Sequence, residues 1–213
     1  GWSYESMWLG TIRTYHSSTS HQPVDFQLVS SRDGIHWARA ANRGAFIPNG
    51  PEGSYDHGYH TDFSNPPLRF GNELYFYYGS TSYGKVGVPS DINTGICLAK
   101  LRVDGFSSLH AKLTTKTGYV ITRPLDFDGD ALYINANGIN GSIRVEVLSG
   151  AQDNDFEPIS GFTLQESVPI EKDSIEQQVR WKRQRNLAPL KEKRIRLKFH
   201  LDGLASLYSF TIR

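Results

Sequence analysis

Between Ser54 and Pro67 the chain reads Ser-Tyr-Asp-His-Gly-Tyr-His-Thr-Asp-Phe-Ser-Asn-Pro-Pro, its richest run of chemically capable side chains. Asp56 and Asp62 have the type needed for acid–base or nucleophilic work, and His57 and His60 could bind, relay protons or ligate a metal. Spacing limits how they combine. Two carboxylates that flank one bond during glycoside cleavage must lie about 5–9.5 Å apart. Extended chain from position 56 to position 62 spans roughly 20 Å. The two therefore pair only if Gly58 folds the segment back on itself. Otherwise each serves a turn or cap, or takes its partner from elsewhere. On a strand, His60 and Asp62 share a face, whereas His57 and His60 point opposite ways and make a poor metal pair.

These residues need elements to hold them, and the patterning supplies strands. Asp25 to Ser31 alternates, enters Asp33-Gly34, and is followed by a short strand over 35–40 carrying Trp37. Asp-Gly between two apolar-patterned runs is a hairpin signal, because glycine accepts positive φ at no steric cost. The unit recurs with Asp33 over Asp104 and Gly34 over Gly105. A repeated strand–turn–strand unit suggests propeller blades; the plainer alternative is two unrelated hairpins sharing a turn dipeptide. Two blades can be drawn, the first from 7–15, 25–31 and 35–40, the second from 59–66, 73–80, 95–103 and 106–112. The turns at 32–34, 70–72 and 104–105 are short. The connections 16–24, 41–58 and 81–94 are long, polar and assigned to one face, which is where scaffolds place function. Trp37 is expected to pack between blades. Trp2, Trp8, Tyr55, Tyr59 and Tyr83 are suited to stacking on a ring-shaped ligand or to filling β cores.

After position 112 the character changes. Short runs at 119–127, 131–135, 142–148, 162–170, 175–181, 195–201 and 207–212 each carry one apolar face, as in a β-sandwich. The boundaries are thus 1–112 and 113–213. The basic stretch 180–185 and the alternation of Arg194, Arg196 and Lys198 read as a solvated sheet face rather than a nucleic-acid patch. Asp126-Phe-Asp-Gly-Asp130 hints at a calcium loop, yet Asn137 stands where an acidic ligand is needed, which favours a plain turn.

Composition fits this all-β reading. Hydrophobic residues make up 38% and aromatics 12%, enough for a packed core, and the net charge of +1 excludes a generally basic nucleic-acid binder. No apolar run approaches the ~20 residues of a membrane span. The single cysteine, Cys97, excludes an internal disulfide and is expected to be a small core residue. The chain opens at Gly1 with its one methionine at position 7 and enters a strand almost at once, so an excised or truncated piece is expected.

Several of these segments resemble a bacterial branch of the five-bladed β-propeller glycoside hydrolases, the clan of families 32 and 43. They are Ser31-Arg-Asp-Gly-Ile-His-Trp37, Leu101-Arg-Val-Asp-Gly-Phe106, Gly118-Tyr-Val-Ile-Thr-Arg-Pro124, Arg194-Ile-Arg-Leu-Lys-Phe199 and Leu207-Tyr-Ser-Phe210. The resemblance implies an all-β chain holding the last blades of a propeller and a C-terminal β-sandwich. It implies an extracellular or periplasmic protein acting on oligo- or polysaccharides, with the N-terminal blades and the main catalytic carboxylates upstream. The isolated chain is then expected to be inactive. Asp56 and Asp62 stay as candidate catalytic groups, and Tyr55, His57, Tyr59 and His60 as candidate substrate contacts. His60 is also the candidate for a histidine touching a calcium ion on the propeller axis, the single cofactor the resemblance suggests. A non-catalytic carbohydrate-binding module and a purely structural module are the alternatives.

Overall fold

The computed structural model describes residues 1–63, 65–152 and 156–213, apart from the side chains of Ala41 and Asp62. It is all-β and divides into two compact units, Gly1–Val103 and Asp104–Arg213.

The first unit is one curled sheet of eight strands. These are β1 (Trp2–Tyr4), β2 (Met7–Tyr15), β3 (Val24–Ser31), β4 (Ala38–Arg39), β5 (Tyr59–Phe63), β6 (Leu68–Phe70), β7 (Glu73–Thr81) and β8 (Thr94–Arg102). The first four form an antiparallel meander, β1-β2-β3-β4. In the second group, β5 and β6 lie in succession along one edge of β7, and β8 pairs with the other edge. Of the expected inner strand over 59–66, β5 covers Tyr59–Phe63; Pro66 and Pro67 supply no amide hydrogen to a ladder. The two groups are linked: Val24 pairs in parallel with Tyr59, which joins them into a single sheet. Trp2–Tyr4, which falls in no predicted strand, gives the first group its outer member.

The two Asp-Gly turns are built differently. At the first, Gly34 takes φ +75°, and Asp33 Oδ1 accepts from the backbone N–H groups of Ile35 (2.9 Å) and His36 (2.8 Å) and from the Ser31 hydroxyl (2.9 Å). The His36 ring, and then those backbone amides, hold the Asp33 carboxyl well below the usual range. At the second turn Asp104 itself takes φ +60°. The following strand β9 (Leu109–His110) does not fold back on β8 but pairs with β15 (Ser206–Ile212). The apparent repeat therefore ends at the turn. Trp37 is 42% exposed rather than sandwiched between blades, with its indole N–H donated to the Gly34 carbonyl at 3.1 Å. Cys97, on β8, is half-buried rather than core; burial and then the Asp56 charge push its thiol pKa up.

In the second unit β10 (Thr117–Ile121), β14 (Ile195–Gly203) and β12 (Gly141–Ser149) form one sheet, in that order. The other has the order β13 (Asp173–Gln178), β11 (Leu132–Asn137), β15, β9. Alternate residues of both sheets enter one core: Ile143, Val145 and Val147 from β12, Leu197 and Phe199 from β14, Leu132 and Ile134 from β11, and Leu207 from β15. The run 162–170, expected as a strand, makes only isolated bridges at Ser167 and Ile170. The outward face of β14 is less solvated than its alternation suggests. Arg196 is 7% exposed, reaches the Thr122 carbonyl at 3.3 Å and lies over the Phe156 ring at 4.9 Å. The Asp126–Asp130 loop is tied down by ion pairs of Asp130 with Lys191 and of Asp126 with Arg194 (3.6 Å).

Candidate functional site

The three long connections of the first unit meet one another. From loop 16–23, the His21 ring stacks on His57 of loop 41–58, with centroids 5.6 Å apart and planes 21° from parallel. Tyr83 of loop 82–93 completes the group at 5.7 Å from His21. Backbone bonds hold the loops in register: Lys85 N–H to the Gln22 carbonyl (3.3 Å) and Gly58 N–H to the Thr81 carbonyl (3.0 Å). The Asn49 amide donates to the carbonyls of Val24 (3.1 Å) and Gly58 (2.8 Å), lacing the longest loop to the sheet. Gly58 is required here because a Cβ would run into the Tyr83 backbone. Gly58→Ala is expected to separate these loops and lower stability by about 1–3 kcal/mol, read as a lower denaturation midpoint with raised amide exchange over 82–86.

Beside this stack lies an open aromatic surface. Tyr15, 43% exposed, and Tyr59 bring their hydroxyls to 3.4 Å, and Arg13 donates to the Tyr59 hydroxyl at 3.3 Å. The Lys85 ammonium sits 4.7 Å above the Tyr15 ring. The hydrogen bond to Tyr59, and then Lys85, hold the Tyr15 phenol below its ordinary pKa. Tyr55 is 59% exposed and packs against Gly95. The side chains available for a ligand are thus Tyr15, Tyr55, Tyr59, His21, His57 and Tyr83. Tyr15, His21 and Lys85 were not legible as site residues, since their importance arises from loops that meet only in the fold.

Beneath the surface lies a polar group of different character. Asp56 accepts from the Ser54 hydroxyl (2.7 Å) and the Tyr78 hydroxyl (2.8 Å). Burial opposes its ionisation, but those two hydrogen bonds, with a backbone hydrogen bond and the nearby His60, together leave the carboxyl below its usual pKa. Burial and then the Asp56 anion push the Tyr78 phenol well above its usual range. His60 is fully buried, stacked on Phe26 at 5.3 Å and edge-on to Tyr78 at 5.0 Å. Its Nε2 meets the Pro48 carbonyl at 3.1 Å and its Nδ1 the Ser80 hydroxyl at 2.9 Å. A carbonyl only accepts, so Nε2 carries the proton; the single Ser80 hydrogen is shared between the Tyr59 carbonyl (3.0 Å) and, in the neutral ring, Nδ1. Burial lowers the His60 pKa, in keeping with this neutral form.

The structure brings Asp56 and His60 together around Tyr78 and directs His57 to the loop surface, where its Nδ1 lies 3.2 Å from the Gly50 carbonyl. Asp62 falls on β5, but its side chain lies outside the described residues, so its separation from Asp56 is not part of this geometry. For the expected axial calcium ion, the donors at His60 do not fit. Calcium takes oxygen ligands, and both imidazole nitrogens already have partners. Among the described residues no three His, Cys, Asp or Glu side chains are grouped to hold a metal. One further acid emerges. Asp25 is 6% exposed, with Oδ2 at 2.9 Å from His16 Nε2, while its buried Oδ1 has no hydrogen-bond partner. An aspartate at the start of an apolar strand, between Val24 and Phe26, is the signal that marks it.

No family model matches the chain, and no curated protein matches it. Among solved structures, a glycoside hydrolase family 43 arabinoxylan arabinofuranohydrolase from Bacillus subtilis, in complex with cellotetraose, is similar at 11% identity and a TM-score of 0.28. The match covers 99% of this chain and 52% of that one, so the chain spans about half the length of that enzyme. The likeness is weak, and no residue role is carried over from it.

Proposed function

We propose that this chain is the carbohydrate-binding portion of a propeller-type glycoside hydrolase, exported from a bacterial cell. The surface formed by Tyr15, Tyr59, Tyr83, His21 and His57 holds an oligo- or polysaccharide. The observation that carries the reading is the convergence of all three long loops on one exposed aromatic surface with Arg13 and Lys85 at its side. Aromatic rings offer apolar faces to the C–H face of a sugar, while phenols, imidazoles and cations serve its hydroxyls. In this reading β1–β4 and β5–β8 are blades of a larger propeller, and the second unit is its C-terminal sandwich.

Hydrolysis by the described residues has less support. Asp56 is held ionised, the wrong state for a general acid, and both its oxygens are engaged by Ser54 and Tyr78. In this reading the acid–base pair lies in segments beyond this chain. Affinity electrophoresis through gels containing neutral plant polysaccharides tests the proposal. The chain should be retarded in at least one gel, Tyr15→Ala with Tyr83→Ala should abolish the retardation, and no reducing ends should appear. Retardation by no gel would overturn the binding site. Release of reducing ends that stops with Asp56→Asn would instead place catalysis on this chain.

A further inference from the structure

The outward face of the β10-β14-β12 sheet carries a cavity of about 480 Å³, within the range of small-ligand sites, roughly 300–1,000 Å³. Strand register builds it in two rows. Tyr119, His200 and Arg144 stand side by side across the three strands, and Thr117, Asp202 and Ser142 form the next row. Leu164 supplies a wall from the segment that runs along β12. Tyr119 is 66% exposed, and Lys198 holds its ring from one side with the ammonium 4.7 Å from the centroid.

In the adjoining row of the same face, Glu146, paired across the strands with Lys198, is 6% exposed and fixes its neighbours. One of its oxygens lies 3.3 Å from His200 Nε2 and 3.6 Å from Lys198 Nζ; the other accepts from the Leu164 N–H at 3.3 Å. His200 and Lys198 are thus anchored from the side by one buried carboxylate. The side chains of Arg144 and Asp202 have no hydrogen-bond or ion-pair partner among the described residues, although both line the cavity. A buried anchor, an open guanidinium, an open carboxylate and an exposed ring make a preorganised polar site.

We infer that this cavity is a second carbohydrate-binding site, taking a ring of a neutral oligosaccharide. The charges identify the class. Lys198 is balanced by Glu146, and Arg144 by Asp202, so no net charge awaits a phosphate or a uronate. A carboxylate only accepts and a guanidinium only donates. Placed together but not on each other, they match adjacent sugar hydroxyls, which do both. Tyr119 provides the flat apolar partner for the sugar's C–H face. The inference stands on the second unit alone and does not depend on the loop surface of the first.

Amide NMR of the full chain, titrated with xylohexaose, cellohexaose and mannohexaose, and with trigalacturonate as the anionic comparator, tests it. At least one neutral hexaose should shift the amides at 117–119, 142–144 and 200–202. Tyr119→Ala and Arg144→Gln should each weaken binding at that site at least about tenfold, equivalent to ~1.4 kcal/mol, while leaving remote amides in place. Shifts confined to residues 13–21, 55–59 and 83–86 would overturn this site and leave the loop surface standing. Shifts confined to the second unit would do the reverse. A response to trigalacturonate alone would overturn the neutral class, and no response to any probe would overturn both sites.

Discussion

Trp181→Ala is expected to unfold the second unit under mild denaturant, because Trp181 both fills its core and closes a sheet edge. The residue is 2% exposed and meets the Phe162 ring edge-on at 4.9 Å. Its indole N–H donates to the Val145 carbonyl at 2.8 Å, and the Ser167 hydroxyl accepts from the Val145 N–H at the same distance. Val145 lies in the middle of β12, with β14 on its other side. Two side chains thus do for that edge what a neighbouring strand would otherwise do, satisfying backbone groups that cannot be left bare when buried. Truncating a buried tryptophan costs about 3–5 kcal/mol, a large share of the roughly 5–15 kcal/mol that holds a domain together. Trp181→Phe keeps most of the apolar contact but leaves the Val145 carbonyl without its donor, a penalty of about 1–3 kcal/mol. Urea unfolding followed by circular dichroism, with exchange of the Val145 amide as a local probe, separates these terms. A loss below ~0.5 kcal/mol in Trp181→Ala would show that the core closes around the gap and that this edge needs no indole.

The same residues show where sequence reading works and where it stops. The strands at 73–81 and 195–203 announce themselves, since each alternates along most of its length with one face destined for a core. Alternation does not reveal what an edge is capped with. The run 162–170 is apolar enough to read as a strand, yet Phe162 N–H and Ser167 N–H return to carbonyls three and four residues back, which turns the chain instead. Asp104 and Asp33 look equivalent by identity. Only the backbone shows that one turn places its strain on glycine and the other on aspartate. The candidate site was legible in part for the same reason. The Ser54–Pro67 stretch draws notice by composition, but His60 is decided by Ser80 and Pro48, which lie 20 and 12 positions away. A histidine expected at an open axis is instead a neutral ring within an aromatic core.

That burial makes the first unit sensitive to acid. The His60 pKa is lowered from 6.5, with desolvation as the leading cause, while the unfolded chain keeps the ordinary value. As pH falls below about 6.5, the unfolded state takes up a proton that the folded state resists. The unfolded state then binds more protons, so stability falls with pH until the folded-state pKa is reached. Asp56 adds a separate window. Its lowered carboxyl pKa favours the fold above 3.8, and that contribution disappears in stronger acid. The first unit should therefore lose stability in two stages, beginning near pH 6.5 and again below about 4. His60→Gln should remove the first stage and keep the second; Tyr78→Phe, which deletes one donor to Asp56, should weaken the second and keep the first. His60→Ala leaves a cavity against Phe26 and Tyr78 and strips the Pro48 carbonyl of its donor, for an expected loss of roughly 3–5 kcal/mol. Thermal unfolding of the three variants between pH 3 and pH 8 checks each arm. A wild-type midpoint that stays flat from pH 7 down to pH 5 would mean that His60 is charged inside the fold, and the neutral ring wedged between Ser80 and Pro48 would have to be abandoned.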